Sequence, residues 1–202
     1  MAISRTGPTP ADVVFWNGVA VPAGQYDAMF TPTLADLISM TGDQTFCSFT
    51  VPGGTWRDGE VVIARIIALR KNNTGSPQDT TIRLSFTGAA LTTIGGPNTW
   101  TDSATEFRNF GHVPMFRGGS SVYVPTTGWS EGTDHQTGSP DDLITNTQRF
   151  DSGQGFIVFT PTNFTSDILV TLALNVPVNS ANWYFKPRHA ACYKTIHWPS
   201  FG

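Results

Sequence analysis

The stretch VVIARIIALR, residues 61–70, is apolar on both of its alternating faces and is hemmed in by Gly- and Asn-rich turns. In an extended chain successive side chains point to opposite sides. Val61, Ile63, Ile67 and Leu69 therefore share one face, and Val62, Ile66 and two alanines share the other. A short apolar run bounded by turn signals reads as a strand covered on both sides. The core of a two-layer β protein needs one of those faces. The second, assigned to Val62 and Ile66, must then meet another chain, the N-terminal segment or a long insertion. Burying two large side chains there is worth about 3–6 kcal/mol, and leaving them wet would invite association. Val62 and Ile66 are thus expected at an interface, with Trp16 and Phe30 of the N-terminal segment as further contacts.

Period-2 alternation recurs along the chain. TFCSFTV places Cys47, Phe49 and Val51 on one face, TTIRLSFT places Ile82, Leu84 and Phe86, and DILVTLALNV places Ile168, Val170, Leu172, Leu174 and Val176. GFIVFTP (155–161) and WYFKPRHAACYKTI (183–196, with a break at Pro187) read as further strands, with Trp183, Tyr184 and Trp198 packing the closing one. Strands joined by Gly/Pro/Asn turns without intervening helices indicate an all-β jelly-roll β-sandwich. Ahead of it, residues 1–44 read as an N-terminal arm. VVFW-NG-VAV is a hairpin signal at Asn17-Gly18, and TLADLISMTG (33–42) predicts one short helix, capped by Thr33 and ended by Gly42. The sandwich is expected to span residues 45–202, with a loop-rich insertion at about 95–154, a length that is usually functional or packed against something.

Composition narrows the function. Charged residues make up 13% of the 202, about half the usual share, and lysine occurs only at Lys71, Lys186 and Lys194. The net charge of −3 and a pI near 5.7 exclude a phosphate-tracking protein, which would carry a basic stripe, so nucleic acid is not an expected partner. The first residues carry no secretory apolar core, and no run is long enough to span a membrane. The expectation is a protein made in the host cytoplasm, with no membrane partner. In that compartment Cys47 and Cys192 are expected as free buried thiols, and Cys47 on an apolar strand face is inert.

The turn PGGTWRDGE (52–60) has the order P-x-G-x-W-x-x-G-[D/E]. It is followed by the long apolar strand with an interior Arg, by KNNTG (71–75), and by TTIRLSF. This order resembles the jelly-roll domains of bacteriophage virion proteins, among them capsid decoration and head- or tail-fibre modules. SDILVTLAL with its closing strand is similar to the end of such domains. The resemblance covers about residues 45–90 and, more loosely, 155–196. It implies a structural role in a virion, alongside other virion proteins and copies of the chain itself, trimers being common in that group, and it carries over no functional residue. Low charge and many aromatics suit a surface taken up by neighbours.

Signals for chemistry are sparse. Glu131 and Asp134 could form a glycosidase pair, which needs two carboxylates, but loop acids of this kind are ordinarily solvated. Asp134, His135, Asp141 and Asp142 could collect a hard cation, although their spacing matches no calcium loop. No zinc spacing, nucleophile elbow or phosphate loop occurs. The expectation is a non-enzymatic protein without catalytic residues, metal or cofactor. The alternative to a structural role is a carbohydrate- or receptor-binding module of a tail protein, using Trp100, Tyr123 and Trp129 as stacking platforms.

Overall fold

The computed structural model describes residues 28–125, 155–161 and 163–195, apart from the side chain of Phe110, and gives the strand course alone of 13–16, 19–22, 130–135 and 147–149. The described residues are all β. β1 (Val13–Trp16) and β2 (Val19–Pro22) pair antiparallel with Trp16 opposite Val19, leaving Asn17-Gly18 between them. Three short edge strands follow: β3 (Ala28–Phe30), β4 (Thr33–Leu34) and β5 (Leu37–Ile38). The long strands are β6 (Gly42–Val51), β7 (Val61–Asn72), β8 (Gln78–Phe86), β9 (Thr92–Trp100) and β10 (Ser103–Gly118). Then come β11 (Ser121–Pro125), β12 (Ser130–His135), β13 (Thr147–Arg149) and β14 (Phe156–Phe159), and the chain closes with β15 (Ile168–Val176) and β16 (Trp183–Thr195).

Two antiparallel sheets result. The small one runs β4-β6-β15-β8-β9. The large one runs β13-β12-β10-β7-β16-β3, with β5 also on β16 and β11 bridging β10 to β14. One core fills the space between them, lined by Phe46, Phe49, Leu84 and Leu172 from the small sheet and by Ala64, Met115, Trp183 and Phe185 from the large. Phe46 meets Phe185 edge-on across that space, with ring centroids 5.0 Å apart. The alternating residues of β8 and β15 all point inward, as their sequence pattern requires.

β7 resolves differently from expectation. Val62, Ala64, Ile66 and Ala68 belong to the sandwich interior, so Val62 and Ile66 are core residues and not subunit contacts. Phe46, Trp183 and Phe185 are among the largest fully buried side chains of this core, and the small-large alternation of this face leaves room for them. The outward face is the one carrying Val61, Ile63 and Ile67, which packs with Met29, Phe116, Ala191 and Tyr193. β2, from the chain's own N-terminal hairpin, comes within 8 Å of both β7 and β16, Cα to Cα. Phe30, also expected at an interface, stacks on Phe49 inside the core (5.9 Å, 13°). The side chain of Trp16 lies outside the described residues.

Residues 33–42 form no helix. Leu34 pairs onto β6 of the small sheet, and Leu37, 2% exposed, pairs onto β16 of the large one. A helix of this length is marginal by itself, whereas crossing between sheets buries Leu37 and gives the backbone partners on each side. Residues 28–44 are therefore part of the sheets, and a boundary at residue 45 falls inside β6. The segment read as an insertion likewise supplies a central strand, since β10 pairs with β7 from Asn72 to Val61. Pro187 does not end β16. The strand passes through it and absorbs the missing donor in a register shift between Pro187 and His189.

Candidate functional site

The outer faces of the two sheets differ in chemistry. On the small sheet Leu169 stands among Thr50, Ser48, Thr171, Ser85 and Thr87. Asp43 there takes hydrogen bonds from Arg83 and Asn175. This is a face built for water. The outer face of the large sheet is apolar around Val61 and Ile63, and its apolar character continues onto β10, β11 and β14.

At that end lies an exposed aromatic patch. Register places Phe116 opposite Tyr123, Tyr123 opposite Val158, and Phe156 two residues from Val158 on the same face. Phe156 is 60% exposed, Val158 54% and Tyr123 36%. The Phe156 ring stands edge-on to both neighbours, 6.3 Å from Phe116 and 6.4 Å from Tyr123, at 87° and 84°, a favoured aromatic geometry. The Tyr123 ring lies against Gly118, where a Cβ would come within 2.8 Å of its Cε2 atom. The glycine thus makes a seat for the ring.

The hairpin carrying Phe116 and Tyr123 is braced from behind by the turn at residues 52–60. Gly59 donates to the Arg117 carbonyl and Arg117 N–H to that of Glu60, both at 3.0 Å. Gly119 N–H donates to Asp58 Oδ1 at 2.6 Å, and the Arg117 guanidinium donates to the Trp56 carbonyl. The guanidinium also sits 3.9 Å above the Phe164 ring. Trp56, fully buried, donates its Nε1–H to the Glu60 carbonyl at 3.2 Å. Glu60 Oε2 accepts the Arg57 N–H at 2.6 Å, while Oε1 accepts Lys194 Nζ at 2.8 Å; Lys194 also donates to the Thr55 carbonyl at 3.0 Å. Trp56, Gly59 and Glu60 of the PGGTWRDGE motif all serve this scaffold. A surface ring fixed in this way loses little freedom when a partner covers it.

Of the two expected stacking residues that are described, Tyr123 is exposed. Trp100 is buried, stacked on Trp183 (5.0 Å, 8°), with the Arg70 guanidinium 4.9 Å from its ring. It is a core residue and cannot touch a glycan. Trp129 lies outside the described residues, as do the side chains of Glu131, Asp134 and His135 and all of Asp141 and Asp142. Phe116, Phe156 and Val158 are the members that sequence reading missed. Of the two other glutamates, Glu60 is engaged in the brace and Glu106 accepts from the Tyr184 hydroxyl. Burial first, then that bond to Glu106, pushes the Tyr184 hydroxyl up to about 12. Among the described residues no cluster of His, Cys, Asp and Glu could hold a metal ion, and no helix is long and apolar enough to cross a membrane.

No protein-family model matches the sequence, and no curated protein is detectably similar to it. Among solved structures, the chain is similar to the CBM2 module of the evolved Dit protein of Lactobacillus casei BL23 phage J-1. The TM-score is 0.34 and the identity 11%, over 96% of this chain and 83% of that one. A likeness at this level carries no argument about function.

Proposed function

We propose that this chain is a non-enzymatic protein of a phage virion, a jelly roll carried on a tail or fibre, and that it binds carbohydrate or a glycan-bearing receptor through the Phe116–Tyr123–Phe156 patch. The observation that carries this reading is the pre-set ring pair: Tyr123 seated on Gly118 with Phe156 standing 60% exposed beside it. Aromatic faces offer sugar rings an apolar surface at a small ordering cost. The jelly-roll assignment is supported by the winding. Consecutive long strands alternate between sheets, except for the β8–β9 hairpin, and the closing strands insert between earlier ones, β15 between β6 and β8 and β16 between β7 and β3. The phage assignment rests on the sequence order of residues 52–86. The test is a bacterial surface-glycan array probed with the full chain. Retention on particular glycans that disappears in Tyr123→Ala/Phe156→Ala supports the reading. No retention, or retention unchanged by the pair of substitutions, refutes it.

A second reading is assembly, in which the same face docks copies of the chain as a trimer or meets other virion proteins in a capsid-cementing role. Val158, 54% exposed beside Phe156, favours it, because an aliphatic side chain adds contact area to a protein partner. Light scattering separates the two: a trimer that dissociates in Val158→Asp supports assembly, and a monomer at tens of micromolar opposes it.

A further inference from the structure

Cys47 and Cys192 sit on opposite sheets and face each other through the core. Cys47 pairs with Leu172 and Leu34 on the small sheet, and Cys192 with Ala64 and Phe30 on the large one. Both are wholly buried in the same apolar cluster. The short crossing from Phe30 to Leu34 starts beside Cys192 and ends beside Cys47, which pins the two cysteines to the corner where the sheets converge. β6 and β16 indeed come within 8 Å, Cα to Cα, although they belong to different sheets. Burial first, then the neighbouring Cys47 thiol, pushes the Cys192 thiol well above its ordinary value. A thiol so raised is inert in the closed fold, so any reaction must take place while the chain folds or opens.

We infer that Cys47 and Cys192 form a redox-dependent staple between the two sheets, open as a dithiol in a reducing cytoplasm and closed as a disulfide when the chain folds under oxidising conditions. This goes beyond the binding reading and does not depend on it. With oxidised glutathione as oxidant, one cysteine thiolate attacks the glutathione disulfide and releases one reduced glutathione. The second cysteine thiolate then displaces the other glutathione from the mixed disulfide. One sulfur–sulfur bond is made and one broken, two electrons pass to glutathione, and the two thiol protons end on the released glutathiones. The two states differ in covalent connection while the strand pairing stays the same.

The test is to refold the full chain with reduced or with oxidised glutathione. Thiols are counted with Ellman's reagent in denaturant, linkage is read by peptide mapping, and the melting midpoint is measured with and without dithiothreitol. The staple requires the oxidised sample to be monomeric on a non-reducing gel, with no free thiol and with Cys47 linked to Cys192. Its midpoint should lie about 5–15 °C above the reduced sample, as a crosslink closing a long loop does, and fall back on reduction. The reduced wild type is the control, so no variant has to fold. A natively folded oxidised sample that keeps both thiols, a linkage between chains, or a crosslinked form that does not melt cooperatively would each overturn the inference.

Discussion

Replacing Lys194 with Met probes the brace behind the aromatic patch. The ammonium donates to Glu60 at 2.8 Å and to the Thr55 carbonyl at 3.0 Å, and the Lys194 and Glu60 side chains are only 10% and 9% exposed. Met keeps most of the side-chain volume, so the change removes a charge without opening a large cavity. Glu60 is then left as a buried carboxylate with the Arg57 N–H at 2.6 Å. Removing one side of a buried pair costs about 3–5 kcal/mol, whereas an exposed pair costs about 0–1 kcal/mol. At about 2–4 °C per kcal/mol for a chain of this size, the melting midpoint should fall by about 6–20 °C. Thermal and urea unfolding followed by tryptophan fluorescence are the assays, since Trp56 is bonded to the same residue. Adding Glu60→Gln to Lys194→Met replaces the stranded carboxylate by an amide and should recover about 1–2 kcal/mol. A single variant within about 0.5 kcal/mol of wild type, or a double variant less stable than the single, would refute the buried-pair reasoning.

Gly118→Ala should leave stability within about 1 kcal/mol of wild type, because the backbone there is ordinary and alanine is tolerated in a strand, yet it displaces the Tyr123 ring from its seat. Glycan affinity should fall about tenfold with an unchanged unfolding curve, and equal affinity would show that the seat is irrelevant. His112 is lowered from 6.5 to about 4 by burial first and then by the Arg65 charge. Because its folded value lies below its unfolded one, its contribution is complete above pH 6.5 and is lost as the pH falls toward 4. Urea unfolding at pH 7 and 4.5 should therefore show wild type losing about 2–3 kcal/mol more than His112→Leu, and parallel losses would contradict it.

Where one face of a strand is apolar, period alone placed the residues. Ile82, Leu84 and Phe86 are all buried, as are Ile168, Val170, Leu172, Leu174 and Val176. β7 defeated the same reading because both of its faces are apolar. Which side turns inward depends on the volume supplied by Phe46, Trp183 and Phe185 from elsewhere in the chain, and no local pattern reports that. β10 escaped for the opposite reason. It carries His112 and Arg108 on its outward side and Asn109, 1% exposed, on its inward side, so it shows no clean alternation. Thr33 to Gly42 has helix punctuation, but its leucines are claimed by two different sheets, and tertiary pairing overrides a weak local signal. The aromatic patch was legible only at Tyr123. Phe156 comes from a distant strand, and its place beside Tyr123 is set by the β11–β14 register, which the sequence does not state.

Isothermal titration of the strongest array glycan into wild type and into Tyr123→Ala/Phe156→Ala, with both proteins checked for equal urea midpoints, tests the binding surface most directly. The expected result is an affinity loss of at least about tenfold, roughly 1.4 kcal/mol, at unchanged stability. Two overlapping isotherms would contradict it and move the binding surface away from β11 and β14.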